Sequence, residues 1–209
     1  MRPSFDNDNG GTFVLIEPGK NGDLVIEEPF FIGARPVTQV EWAAVMGSNP
    51  SKFQDGWSAG LRPVESVSWL DCQSFISELN AREVKQRFGL SGVWRLPTAD
   101  EWEYACRAGT TTRWYHSDRD NELDEVAWHG GNSGATTREV GQKKGNQWGL
   151  HDCHGNVSEW TDTEKGGRRI TKGGSWLMES ESTTSSAFGL SKIDKRSDGI
   201  GLRLVWAPV

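Results

Sequence analysis

Trp94-Arg95-Leu96-Pro97-Thr98-Ala99-Asp100-Glu101-Trp102-Glu103-Tyr104 is the stretch from which the organisation of this chain is read. Thr98 offers a hydroxyl at a helix N-cap, and Glu101 offers a carboxylate three residues on. The hydroxyl accepts from an orphan backbone N–H while the carboxylate reaches back to the cap. Upstream the same device recurs at Thr38-Gln39-Val40-Glu41 and at Ser68-Trp69-Leu70-Asp71. Three helices are therefore expected. The first runs to about Met46 and stops at Gly47. The second and longest carries Leu70, Phe75, Ile76 and Leu79 as an apolar stripe and is expected to continue to Phe88 before Gly89. The third holds Trp102, Tyr104 and Ala105 and ends at Gly109. Arg62 and Arg95 are candidates to bridge loops to carboxylates by bidentate contacts.

Around these helices, residues 12–17 and 24–32 read as strands separated by a turn at 18–22, and Ile200 to Trp206 reads as a final strand. Residues 110–172 alternate glycines and polar residues with single aromatics. The chain has 25 glycines and 11 tryptophans, a combination that suits many tight turns pinned together by buried indoles. Neither a repeat nor a linker is visible, so residues 1–209 are expected to form one domain. The formal net charge of −6 argues against a nucleic-acid partner, and Lys165 with Arg168 and Arg169 reads as an ordinary turn. Membrane insertion is not expected, because no apolar run approaches the ~18 residues a spanning helix needs. The start of the chain lacks an apolar stretch of signal-peptide type, which points to the cytoplasm and leaves virion or surface display open. Cys72, Cys106 and Cys153 make an odd number without CxxC spacing, so neither a disulfide framework nor a cysteine zinc site is written here. His151 and His154 flank Cys153, where a turn is the simpler reading than a metal site.

Taken in order, several blocks resemble the formylglycine-generating-enzyme (sulfatase-modifying factor) family. They are Val37-Thr38-Gln39, Met46 to Ser51, Arg62 to Trp69, Trp94 to Tyr104, Val140-Gly141-Gln142, Asn146 to Leu150, Gly155 to Thr161, Gly173-Gly174-Ser175-Trp176 and Gly201 to Leu204. The resemblance implies an α+β, loop-rich fold of the C-type-lectin-like kind, with two main helices on a twisted antiparallel sheet. Enzymes of this family oxidise a substrate cysteine with a cysteine pair between the Gly-Gly-Ser-Trp block and the final strand. Here that stretch, Leu177 to Gly199, has no cysteine, and Met178 and Thr183 stand where the pair would be. A thioether and a hydroxyl cannot replace thiolates, so copper chemistry is not expected. The family's calcium loop resembles Asp152-Cys153-His154-Gly155-Asn156-Val157-Ser158-Glu159. A structural Ca²⁺ would take carboxylates from Asp152 and Glu159 and carbonyls from Gly155 and Val157.

The chain is also similar in type to the variable proteins of diversity-generating retroelements, which diversify adenine-containing codons after Gly-Gly-Ser-Trp. That resemblance implies a non-catalytic scaffold binding a protein or other surface ligand through residues 177–199. Leu177, Ser180, Ser182, Thr183, Phe188, Leu190, Ile193, Asp194, Ser197 and Asp198 are all reachable from a mutated asparagine codon, whereas Met178, Glu179, Glu181 and Lys192 are not. Phe188, Leu177 and Leu190 would anchor a ligand, with Asp194 and Asp198 giving polar specificity. The alternative is an enzyme or accessory factor of a modification pathway that uses other residues.

Overall fold

A computed structural model describes residues 2–82 and 86–209. In chain order it contains β1 (Ser4–Asp6), β2 (Thr12–Ile16), β3 (Gly19–Asn21), β4 (Leu24–Ile26), β5 (Phe30–Gly33), α1 (Gln39–Met46), α2 (Trp69–Arg82), β6 (Gln86–Arg87), β7 (Leu90–Arg95) and α3 (Ala99–Arg107). There follow β8 (Ala127–Trp128), β9 (His154–Gly155), β10 (Ser158–Lys165), β11 (Arg168–Lys172), β12 (Phe188–Ser191), β13 (Ile200–Leu202) and β14 (Val205–Pro208). The architecture is α+β, C-type-lectin-like and rich in loops.

All three expected helix starts are capping boxes. Glu41, Asp71 and Glu101 donate their backbone N–H groups to Thr38, Ser68 and Thr98 at 3.3, 3.1 and 3.1 Å, and their carboxylates accept back from the cap N–H groups. Each carboxylate also grips an arginine from elsewhere, so the cap doubles as a fastening. Arg95 binds Glu101 bidentately at 2.7 and 2.6 Å, as its sequence position suggested. Arg62 differs: its guanidinium donates to Thr136 Oγ1 at 2.9 Å and not to a carboxylate. Gly47 ends α1 at φ 70°, the left-handed conformation that favours glycine.

The structure corrects several boundaries. The strand expected over 24–32 divides, because Pro29 has no N–H to give a ladder. Its first part folds back on β3, turning most of the expected 18–22 turn into strand, and its second part joins the large sheet. The second helix is described to Arg82, not to Phe88. Residues 83–85 lie outside the described residues, and Gln86–Arg87 pairs with β7 around Phe88 and Gly89, both at positive φ.

Two sheets organise the molecule. The larger has the order β1-β2-β5-β14-β7-β6, and the smaller the order β12-β11-β10-β13. The smaller is mixed, with β13 parallel to β10 and its other pairs antiparallel. The expected final strand thus splits between the sheets: β13 belongs to the smaller and β14 to the centre of the larger, with Arg203 at the corner. Trp102, Trp160 and Trp206 are fully buried around this junction, and Trp114 is fully buried against Thr183. Trp160 donates Nε1–H to the Val67 carbonyl at 2.9 Å, which joins the smaller sheet to the start of α2.

Candidate ligand-binding face and the buried polar core beneath it

After Trp176 the chain crosses the outside of the smaller sheet. A short 3₁₀ turn covers Ser180–Thr183, β12 adds an edge strand, and a turn at Lys192–Lys195 leads to β13. Leu177, Ser182, Phe188, Leu190, Ile193 and Asp194 are exposed, and Ser180, Ser197 and Asp198 are half-buried. Thr183 departs from its expected role as a ligand contact because it is fully buried. Its hydroxyl accepts from Trp114 Nε1 at 3.2 Å and donates to the Ser180 carbonyl at 2.8 Å, so it is a tie beneath the face.

Five of the remaining positions, Ser182, Phe188, Leu190, Asp194 and Asp198, fall into three neighbourhoods. Ser182 and Phe188 border a groove of about 400 Å³ with Thr171, Met178, Glu181 and Thr184. Leu190 and Asp194 border a second concavity of about 500 Å³ with Arg168, Lys192, Lys195 and Arg196. Asp198 pairs with Lys52 at 2.5 Å, and its carbonyl accepts from Trp176 Nε1 at 2.9 Å. Trp176 in turn meets Phe53 edge-on, with ring centroids 5.3 Å apart. The loop carrying Lys52 and Phe53 also presents Trp57, which is 98% exposed. Sequence reasoning singled out neither this loop nor the cations of the second concavity. A tryptophan flanked by Gly56 and Ser58, outside any periodic segment, was the available signal for the loop.

The residues of the calcium loop do not fit a cation cage. Glu159 is fully buried and faces Arg203, which donates to its two oxygens at 2.9 and 2.8 Å, while Trp102 Nε1 donates to the first of these. Arg203 completes its donors on the carbonyls of Gly33 and His151, each at 2.8 Å. A divalent ion at Glu159 would stand against a guanidinium, and the partner that prevents it lies 44 residues away in sequence. Burial pushes Glu159 above the ordinary carboxylate range, and the Arg203 charge with the Arg203 and Trp102 donors acts against that shift. Asp152 is likewise raised by burial, and its oxygens accept from Gly141 N at 2.6 Å and Asn156 Nδ2 at 3.4 Å. Gly155 serves a different purpose: at φ +78° a Cβ there would stand 2.0 Å from the Trp128 carbonyl oxygen, so only glycine permits the β8–β9 bridge. The Val157 side chain is fully buried in the same segment.

Beneath Thr183 and Ser185 lies a second buried cluster. His154 donates Nδ1–H to the Thr183 carbonyl at 2.7 Å and accepts from Tyr115 N at 3.1 Å, with its ring stacked on Tyr115. Cys106 Sγ lies 3.9 Å from His154 Nε2 and 3.8 Å from Ser185 Oγ. Cys153, unrelated to Cys106 by sequence spacing, is its neighbour in this cluster and donates to the His151 carbonyl at 3.8 Å. Burial alone raises the Cys106 thiol, but its interactions with Cys153, His154 and Ser185 bring it below the usual thiol value, while Cys153 is held well above it. All three cysteines are free and buried. Among the described residues no group of three or more His, Cys, Asp or Glu is gathered to hold a metal.

Comparison with known families places this geometry. The sulfatase-modifying factor enzyme 1-like domain matches residues 9–208. The chain belongs to that family. Chaperone protein LppX of Paenibacillus barcinonensis is 30% identical over 94% of this chain and 86% of its own length. Among solved structures, Treponema denticola variable protein 1 superposes with a TM-score of 0.85 at 26% identity, covering 100% of this chain and 99% of that one. The Major Tropism Determinant M1 variant shares the fold with a TM-score of 0.53 at 13% identity, over 95% of this chain and 64% of its own. The described residues contain no helix long and apolar enough to cross a membrane.

Proposed function

We propose that this chain is a non-catalytic ligand-binding protein, the variable protein of a diversity-generating retroelement, displaying residues 177–199 on a rigid lectin-like scaffold. The observation that carries the reading is the contrast between side chain and backbone along that stretch. Leu177, Ser182, Phe188, Leu190, Ile193 and Asp194 point outward. Their backbone is tied at intervals: Gly130 N–H to the Met178 carbonyl, Ser185 N–H to Arg113, Leu70 N–H to Ile193, Ser66 N–H to Ser197, and β12 to β11. Side chains can change on such a segment while the main chain stays in place. A protein ligand or other surface ligand would then be held by Phe188, Leu177 and Leu190 as apolar anchors, with Asp194 and Asp198 as polar contacts. Likeness to a protein named for its variability supports the same reading. So does the placement of Cys106 and Cys153 out of solvent reach, which leaves the enzyme alternative without an accessible cysteine.

Identity to LppX across most of both chains favours a second reading, in which the same face serves one fixed protein partner as a chaperone's would. Sequencing the gene from many members of its source population separates the two. The variable-protein reading expects adenine-derived variation at the exposed positions of 177–199, with buried Thr183 and Ser185 constant. A stretch as constant as the core sinks it and leaves the fixed partner.

A further inference from the structure

The second concavity has a chemistry of its own. Register pairs Arg169 with Ser191, which sets Arg168 beside Lys192, 24 positions further along the chain. Arg196 is committed to Asp71 through two contacts of 2.8 Å, and Arg169 is committed to Asp162 at 3.3 Å. Among the described residues no ion pair engages Arg168, Lys192 or Lys195. Asp194 is the one carboxylate lining the same concavity. A net positive floor therefore stands on a chain whose formal charge is −6. Leu190, 39% exposed, lines it; Ile193, 41% exposed, sits in the same turn between Lys192 and Asp194, and Leu70, 46% exposed, is joined to that turn by its N–H, which donates to the Ile193 carbonyl at 3.3 Å. The Arg196–Asp71 pair fixes this turn to the capping box of α2.

We infer that this cleft binds an acidic protein segment in which aliphatic residues are interspersed with carboxylates. Like charges left unpaired by the fold attract the opposite charge, and exposed aliphatics beside them reward a partner that brings apolar side chains as well. A phosphate or sulfate polymer would answer the cations and leave Leu70, Leu190 and Ile193 uncovered. The inference rests on the proposed function, of which it names the partner chemistry. It also explains how a changing face keeps one kind of partner. Lysine codons end in a purine and asparagine codons in a pyrimidine, so adenine mutation of an asparagine codon does not yield Lys192 or Lys195. Arg168 lies outside the 177–199 stretch. The cations are the fixed floor, and Leu190, Ile193 and Asp194 are the adjustable rim.

The test is binding of the full chain to three fluorescent probes: a peptide of glutamates with interspersed leucines, the same peptide with serine for leucine, and heparin. The leucine peptide should bind tightest, lose about tenfold on the change to serine, and weaken by about tenfold between 50 and 500 mM NaCl. The double variant Lys192→Glu, Lys195→Glu should lose at least about tenfold, with unchanged melting, while Lys20→Glu on β3 should lose little. Equal binding of the serine peptide, tighter binding of heparin, or indifference to the lysine reversal would each overturn the inference. Codon constancy with intact peptide binding would instead remove the variable-protein reading and leave the cleft standing.

Discussion

Arg203→Met tests the junction on which the fold turns. Arg203 and Glu159 are both fully buried, and the arginine supplies two donors to the carboxylate and one each to the carbonyls of Gly33 and His151. Removing it leaves a buried carboxylate facing only Trp102, and breaking a buried pair from one side costs about 3–5 kcal/mol. For a domain of this size each kcal/mol moves Tm by about 2–4 °C, so the midpoint should fall by roughly 6–20 °C. The companion variant Glu159→Leu with Arg203→Met removes both charges. It should recover most of that loss, short of the roughly 1–3 kcal/mol of leaving the Trp102 indole N–H without an acceptor. Thermal and urea unfolding, followed by tryptophan fluorescence and near-ultraviolet circular dichroism, measure both. A single variant costing less than about 1 kcal/mol, or a double variant no better than the single, would refute the view that an ion pair and not shape alone holds this corner.

Four further outcomes are expected. Excess chelator should leave Tm unchanged and added Ca²⁺ should not raise it, because both Glu159 oxygens are taken by Arg203; a calcium-dependent rise in differential scanning calorimetry would contradict this. Burial alone would raise Asp71, but hydrogen bonds from Arg196 and Ser68 outweigh it and hold its carboxyl below the ordinary range. A depressed native pKa gives stability that is full above the unfolded value of 3.8 and is lost as pH falls through the native one, so the Tm deficit of Asp71→Asn should be present at pH 7 and shrink below that point. Gly155→Ala should abolish soluble expression or lower Tm by more than about 10 °C, since both its φ and the Trp128 carbonyl oppose a Cβ. Replacing Phe188 and Leu190 together by alanine should move Tm by no more than a few degrees, as both are well exposed, while removing binding to any captured ligand; loss of folding would make them core.

What was legible in the sequence was local or spaced in fixed order. A capping box is written within four residues, so Thr38, Ser68 and Thr98 announced their helices without any knowledge of the fold. The Arg95–Glu101 pair was legible for the same reason. The break at Pro29 was also printed in the chain and was overridden by the apolar letters on both sides of it. Other features depend on partners that sequence distance hides. Glu159 reads as an oxygen ligand until Arg203 is folded against it, and Thr183 reads as one more hydroxyl of a polar loop until Trp114 and His154 are brought to it. The basic floor was invisible because Arg168 and Lys192 each look ordinary alone and become a site only through the β11–β12 register.

The buried polar contacts would let one fold tolerate the changing surface proposed above. Hydrophobic packing alone would let a loop such as 177–199 drift when its outer side chains change, since apolar contacts are not directional. Here the stretch is held from beneath by directional bonds: Thr183 to Trp114 and His154, Ser185 N–H to Arg113, and Trp176 to the Asp198 carbonyl. Each fixes a main-chain position without using the side chains that face solvent. Substitution at an exposed position then costs only the small amounts typical of surfaces, about 0.5 kcal/mol or less, because no cavity opens and no buried group loses its partner. The exceptions, Thr183 and Ser185, are the positions where variation would reach the His154–Cys106 cluster, and a diversified lineage should keep them fixed for that physical reason.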